Sequence, residues 1–474
     1  MMVRGKTASQ ITRPVVDLAV KQAQAETAAK LVAAYAAEQP ISTQHGSPLA
    51  PRPTYEKAGN ALAVVDVANP ATDVDAAPYI VYPFGQDIAA GGVVPKALRT
   101  SDIVRGFNPN LMVRNPTGSG LTAMSCVTSY SASGLETELE PGSPMSANSN
   151  NKIVDFTFDS DVFYLVMDRS VHGALCVHVD GAMIVPTITG PVVIAGAVPG
   201  EIMIDAAYVG GRYVKFKFPS VATRRIMIVY AGDRITSKLY FRNTATVTFN
   251  RGALRWITVG DSFTAGSVSD TGAIANVYGR RQAYAHAMHG AFGFEFDQIN
   301  IGIGGSGFLK NLLPGAEKTL GQSLSYRRSL LTNTAGLDAD LITVLGCVND
   351  AGSYADPLFA NEMAAFIDDA RAMHPRAMIV VFGTNTSIAN IPTISPLIEA
   401  KMAEICAAKG VPFVPMQTRN PPFLRGTGKQ DAPTGTGNTD YMVGPDSTHP
   451  TVLGHRLTGE FMARELSRVA QSIR

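Results

Sequence analysis

At 474 residues the chain is too long for one ordinary domain, so two or three are expected. Hydrophobic residues make up 46% and charged residues 17%, a balance that fits a folded protein and excludes a disordered one. A formal net charge of +1 offers no global field for nucleic acid or an anionic membrane, and no apolar run approaches the roughly 18 residues of a membrane span.

The N-terminal stretch MMVRGKTASQITRP lacks the apolar centre of a secretory signal, so a soluble protein is expected. Residues 12–38 then read as one helix, with Thr12 as N-cap, Pro14 in the first turn and Pro40 past the end. Ile11, Val15, Leu18, Gln22, Ala25, Ala29, Val32 and Ala36 recur in steps of four and three. This is a thin, Ala-rich seam. It fits either a helix lying on its own domain or a short stalk that assembles the chain into a homo-oligomer, a trimer being the natural case. Residues 1–40 are therefore expected to be an N-terminal helical segment for oligomerisation or attachment.

Residues 41–150 are rich in Pro, Gly, Ser, Asn and Thr and predict loops with scattered short strands. From 151 to 252 the period changes to two. In YVKFKF, Val214, Phe216 and Phe218 share one face and Lys215 and Lys217 the other. KIVDFTF, FYLVM, ALCVHV, EIMI, RIMIVY and KLYF continue the series, which predicts an antiparallel β-sandwich of jelly-roll type.

From 253 to 474 strands alternate with helices. Strands are expected at 255–259, 341–346, 378–383 and 411–415 and within FDQINI, with helices at 277–292, near 318–331, at 357–374, over SPLIEAKMAEICAAKG and at 452–472. That alternation predicts a doubly wound parallel sheet, whose ligands bind beyond the carboxyl ends of the strands. Cys126, Cys176, Cys347 and Cys406 form no CxxC pair, so buried thiols are expected rather than a metal site or a disulfide framework.

Four segments at expected strand ends carry candidate chemistry. WITVGDSFTAGS places Ser262 just past the first strand. A serine hydroxyl needs a base to become a nucleophile, and the base needs an orienting carboxylate. Of eight histidines, His449 in PDSTHP has an acid, Asp446, three residues before it. QINIGIGGSG supplies a Gly-rich turn for backbone donors, and LGCVND supplies the amide of Asn349.

In this order the four blocks GDS, NIGIGG, VND and DSTHP resemble those of the SGNH (GDSL-type) hydrolases. The resemblance covers about residues 253–474. It implies a flavodoxin-like α/β/α domain, an esterase, lipase or carbohydrate deacetylase activity, and no cofactor or metal. It further implies Ser262 as nucleophile, His449 as base, Asp446 as its orienting acid, and the N–H of Ser262, the N–H of Gly305 and Asn349 as oxyanion donors. Phe263 stands where the family commonly has Leu, and one extra residue separates Gly346 from Asn349. A sandwich before such a domain resembles carbohydrate O-acetyl esterases, and the front of the chain is similar to attachment regions of bacteriophage tail proteins. The expected substrate is thus an acetylated saccharide, met on a virion or otherwise outside a cell. A lipase with the same site is the first alternative. A non-catalytic virion or adhesin protein with a relic hydrolase fold is the second.

Overall fold

The structure is a computed structural model. It describes residues 8–42, the strands between 64 and 249 given below with some flanking residues, 254–266 and 269, short stretches between 284 and 309, and 339–473 apart from Cys347. The helix expected near 318–331, Gly305 and most of 277–292 lie outside the described residues.

Two sheets occupy the first half. One runs in the order Thr187–Ile188, Val64–Val67, Tyr213–Lys217, Val162–Met167, Ile235–Arg242, Tyr79–Pro83. The other runs Val193–Ala195, Glu201–Ile204, Ala174–Val179, Arg224–Ala231, Lys152–Phe158, Val247–Phe249. Val104–Arg105 also pairs with Lys152–Phe158, and Ala182–Met183 with Ala174–Val179. A separate hairpin joins Met112–Arg114 to Leu121–Ala123. The pairs are antiparallel except that between Val64–Val67 and Thr187–Ile188.

Alternation determines which residues are buried. Val214, Phe216 and Phe218 are buried while Lys215 and Lys217 are half-exposed, and Lys217 reaches Asp161 at 2.8 Å. Phe156 and Phe158 from the second sheet meet Phe163 and Phe241 from the first with centroids 5.1–5.9 Å apart, mostly edge to face. The expected boundary at 150/151 therefore runs through both sheets, since Val64–Val67, Tyr79–Pro83 and Val104–Arg105 pair with strands beyond it. Their pairing partners are far away in sequence, so no local pattern marks the join.

The second half holds five parallel strands: β1 (Arg255–Gly260), β2 (Asp297–Asn300), β3 (Leu341–Leu345), β4 (Met378–Phe382) and β5 (Phe413–Val414), in the order β2-β1-β3-β4-β5. This is the flavodoxin-like order, with the switch point between β1 and β3. β3 and β4 are buried along their whole length, as strands covered on both faces must be. One face packs Ile257, Val259, Ile342, Val344 and Val381 against Phe359 and Phe366 of α3 (Pro357–Met373) and Ile398 and Met402 of α4 (Ile394–Lys409). Here α2 is the short helix Ser262–Ala265 described below. The other face packs Trp256, Leu341, Val380 and Phe382 against Phe461 and Leu466 of α6 (Val452–Ile473), α5 being Thr439–Met442. Trp256 Nε1 donates to Thr343 Oγ1 at 2.8 Å within this layer.

The same layer contains the first helix of the chain. α1 (Ala8–Ser42) lies along α6, with Ala28 and Leu31 fully buried in the cluster around Trp256. Gln24 Nε2 donates to the carbonyl of Ala377 at 3.2 Å, and the Tyr35 ring sits 5.6 Å from Phe292. Of the two arrangements expected for this helix, these contacts are those of a helix lying on its own domain. The stripe that faces the unit is the half-buried Gln24 and Tyr35 with the buried Ala28 and Leu31, whereas Leu18, Gln22 and Ala36 of the expected seam are exposed. α1 also passes the expected limits of 12–38 at both ends, so Thr12 is not its N-cap and neither Pro14 nor Pro40 ends it. A proline only biases its predecessor away from helix, and that bias yields to packing.

Leu31→Ala should therefore cost about 2–5 kcal/mol and lower the melting temperature by several degrees. Leu18→Asp, on the exposed side, should leave it within about 0.5 kcal/mol of the parent. Thermal unfolding of both variants checks this. Equal effects would mean that α1 is not seated on the sheet.

Candidate active site

β1 ends at Gly260, where a Cβ would lie 1.6 Å from Thr264 Oγ1 and 2.5 Å from the carbonyl oxygen of Leu345. Only glycine lets the chain turn this close to β3. Asp261 then caps α2, its Oδ1 accepting the N–H of Phe263 at 3.0 Å. Ser262 is the first residue of α2 and is 8% exposed. A helix-capping role for this Asp–Ser pair thus belongs to Asp261, which leaves the Ser262 hydroxyl to face elsewhere.

It faces His449. Ser262 Oγ and His449 Nε2 are 3.0 Å apart, and His449 Nδ1 is 2.6 Å from Asp446 Oδ2. Asp446 Oδ1 also accepts the N–H groups of Thr448 at 2.9 Å and His449 at 2.8 Å. Ser447 adopts the left-handed conformation, φ 63°, which folds the turn back over the carboxylate. Burial works to raise the pKa of Asp446. The hydrogen bond from His449 and those from the backbone of Thr448 and His449 outweigh it and bring the pKa down to about 2. Phe263 packs its ring 5.6 Å from the imidazole, so the larger residue at this position covers one side of His449.

Three separate segments hold the turn that carries Asp446 and His449. Ser269, seven residues after Ser262, accepts the N–H of Asp446 on its Oγ and donates its own N–H to the carbonyl of Pro450, both at 3.1 Å. Ile388 N–H donates to the carbonyl of Ser447 at 3.0 Å. Lys429 Nζ donates to the carbonyl of Pro445.

Behind two of these segments stands Glu399 of α4, fully buried. Its carboxylate accepts the N–H groups of Thr384, Met416, Gln417 and Thr418 and the hydroxyl of Thr418, at 2.8–3.2 Å. Burial pushes its carboxyl above the usual carboxylate range, against the pull of the donors at Thr418, Gln417 and Met416. Glu399 thus ties together the segments that leave β4 and β5.

Of the expected oxyanion donors, the Ser262 N–H starts α2, and Asn349 lies half-buried in the one-turn helix Val348–Asp350 just past β3. Gly305 lies outside the described residues. His455 is fully buried in α6, where its Nδ1 accepts the N–H of Tyr284 at 3.2 Å. Ser269, Ile388, Lys429 and Glu399 were not legible as site residues in the sequence, because they act through backbone groups and form no motif. Asp350 had a signal, standing beside Asn349 in VND. Among the described residues no helix is long and apolar enough to cross a membrane.

The profile of the GDSL-like lipase/acylhydrolase family matches residues 258–457, from within β1 into α6. The chain carries a GDSL-type acylhydrolase domain. Curated proteins give no match. Among solved structures, the chain is similar to a family two carbohydrate esterase from Cellvibrio japonicus, at 16% identity over 68% of this chain and 89% of that one, TM-score 0.45. It is also similar to a family two carbohydrate esterase from Clostridium thermocellum in complex with cellohexaose, at 15% identity over 68% and 93%, TM-score 0.45. A third is the acetyl xylan esterase Est2A from the rumen bacterium Butyrivibrio proteoclasticus, at 15% identity over 67% and 90%, TM-score 0.37.

Two predictions follow from the acids of the acylhydrolase domain. Glu399→Gln turns an amide NH₂ toward backbone donors and strands at least one of them, at about 1–3 kcal/mol each, so the melting temperature should fall by several degrees. A melting curve unchanged by this substitution would show that the carboxylate is not the acceptor. Asp446 has its folded pKa below the unfolded value near 3.8, so its contribution to stability is present above about pH 4 and is lost as the pH falls toward 2. The stability gap between the parent and Asp446→Asn should therefore persist at pH 5 and close between about pH 4 and 2 in denaturant titrations. Closure already complete at pH 4 would contradict the depressed pKa.

Proposed function

We propose that the chain is a serine esterase that removes acyl groups, chiefly acetyl, from hydroxyls of an oligo- or polysaccharide. The observation that carries this reading is the continuous contact from Asp446 through His449 to Ser262, at 2.6 and 3.0 Å, inside the acylhydrolase domain.

In this mechanism Ser262 Oγ attacks the ester carbonyl carbon while His449 Nε2 takes its proton. Asp446 keeps Nδ1 protonated, so that Nε2 is the free acceptor, and it stabilises the imidazolium that forms. The carbonyl oxygen gains a negative charge, which the N–H groups of Ser262 and Gly305 and the amide of Asn349 bind. Collapse of this intermediate breaks the bond to the sugar oxygen, which leaves as the alcohol with the proton from His449. Water, deprotonated by the same imidazole, then attacks the acyl-enzyme and releases the acid and Ser262.

The saccharide reading is supported by the long segment between Thr418 and Gly444. Its tip, 431–436, is exposed and polar, and the hydroxyls of Thr427, Thr434 and Thr436 hydrogen-bond to one another at 2.7–3.4 Å. Lys429 joins this segment to the carbonyl next to Asp446. A polar segment that carries hydroxyls suits a sugar better than a fatty acyl chain. The two antiparallel sheets of the first half we read as the expected sandwich, which presents polymer to the site. Self-association as a trimer is proposed through the exposed side of α1, where Leu18, Gln22 and Ala36 face solvent.

Purified protein should hydrolyse a short chromogenic acetate ester faster than a long-chain one and should release acetate from an acetylated polysaccharide. Ser262→Ala and His449→Ala should each lower kcat by several orders of magnitude without changing the melting temperature by more than a few degrees. Residual activity of Ser262→Ala within tenfold of the parent would remove the serine from the mechanism. Preference for the long-chain ester would favour a lipase.

A further inference from the structure

The fully buried acids of the α/β unit include one placed beside the expected oxyanion donors. Asp350 is 1% exposed and closes the one-turn helix that carries Asn349. Its Oδ2 accepts the N–H of Phe308 at 2.6 Å, and its Oδ1 accepts the N–H of Leu309 at 3.1 Å. The two peptide groups belong to the segment that follows β2, 42 and 41 residues earlier in the chain. At Gly307 a Cβ would lie 2.4 Å from both carboxylate oxygens, so this contact is built for a residue without a side chain. On the far side the Phe308 ring is anchored in the core, 5.8 Å from Phe359 and 5.6 Å from Phe366 of α3.

We infer that Asp350 is a positioning residue for the oxyanion donor Asn349: its carboxylate clamps the turn after β3 onto the backbone of 307–309 and so fixes where the Asn349 amide stands. This rests on the proposed role of Asn349. In this role the carboxylate does not touch substrate. It accepts two N–H groups, and the same two bonds prevent the Asn349 turn from sliding along the edge of the sheet. A displacement of about 1 Å in such a donor costs on the order of a hundredfold in rate.

The test uses the full chain and five variants. Asp350→Asn keeps the size but presents an NH₂ to a peptide N–H. It should lower kcat for a short acetate ester by roughly 10–100-fold, with KM within about twofold. The affinity for a short alkylboronic acid, which becomes a tetrahedral anion when Ser262 adds to it, should fall by a similar factor. The pH profile should be unmoved, since Asp446 and His449 are untouched. Asn349→Ala should be impaired to at least the same extent, and adding Asp350→Asn to it should cost less than a further twofold, because a residue that acts through another has no effect once that other is gone. Should Asp350→Asn not fold, Gly307→Ala pushes on the same contact with the carboxylate intact and should give the same pattern. Parental kcat in Asp350→Asn, or full additivity with Asn349→Ala, overturns the inference. Activity retained by Ser262→Ala would instead overturn the underlying reading, so the two failures are distinct.

Discussion

The contact between His449 and Ser262 joins residues 187 positions apart, and no helix or strand includes both. A hydrogen bond of 3.0 Å tolerates little error, so the turn around His449 must be held by something other than its own sequence. The structure holds it by its backbone from three directions: the hydroxyl and N–H of Ser269 just after α2, the N–H of Ile388 beyond β4 and the ammonium of Lys429 from the long segment beyond β5. Each anchor comes from the carboxyl edge of the sheet, where the parallel strands already fix the spacing. The sheet therefore carries geometry from β1 to the turn around His449 through these hydrogen-bonded connections.

Loops at such an edge contain peptide N–H groups with no regular partner, and burying them unpaired is costly. This chain meets the need with carboxylates. Asp261 takes a donor of α2, Asp350 takes two from 308–309, and Glu399 takes four from the ends of β4 and β5. A buried acid with several N–H donors shares its charge with peptide dipoles. It can therefore organise a loop through peptide N–H groups alone.

Much of the α/β unit was legible because its strands are continuous apolar runs and its helices carry their own stop signals, such as the aspartate cap before Pro357 and Gly410 after Lys409. Ser262, His449 and Asp446 were legible because they stand in the GDS and DSTHP blocks at expected strand ends, and the structure brings them within bonding distance. What escaped was long-range. The seat of α1 was hidden because a helix with Ala28 and Leu31 on one stripe and Leu18 on another offers two apolar faces, and only the distant α6 selects between them. The pairing of Val64–Val67 and Tyr79–Pro83 with strands more than 140 residues later leaves no trace in local periodicity. Asp350 and Glu399 act on peptide groups, which every residue has, so no residue type on the receiving side announces them.

Trp256 is the only tryptophan in the chain. It lies fully buried in β1, six residues before Ser262, with its indole bonded to Thr343 and flanked by Phe292 and Phe296. Intrinsic tryptophan emission is therefore a private optical signal of the layer formed by β1, α6 and α1, silent about the two antiparallel sheets. Far-ultraviolet circular dichroism reports every part at once. Following both in one titration separates the melting of the acylhydrolase core from that of the sheets in front of it, with no label added.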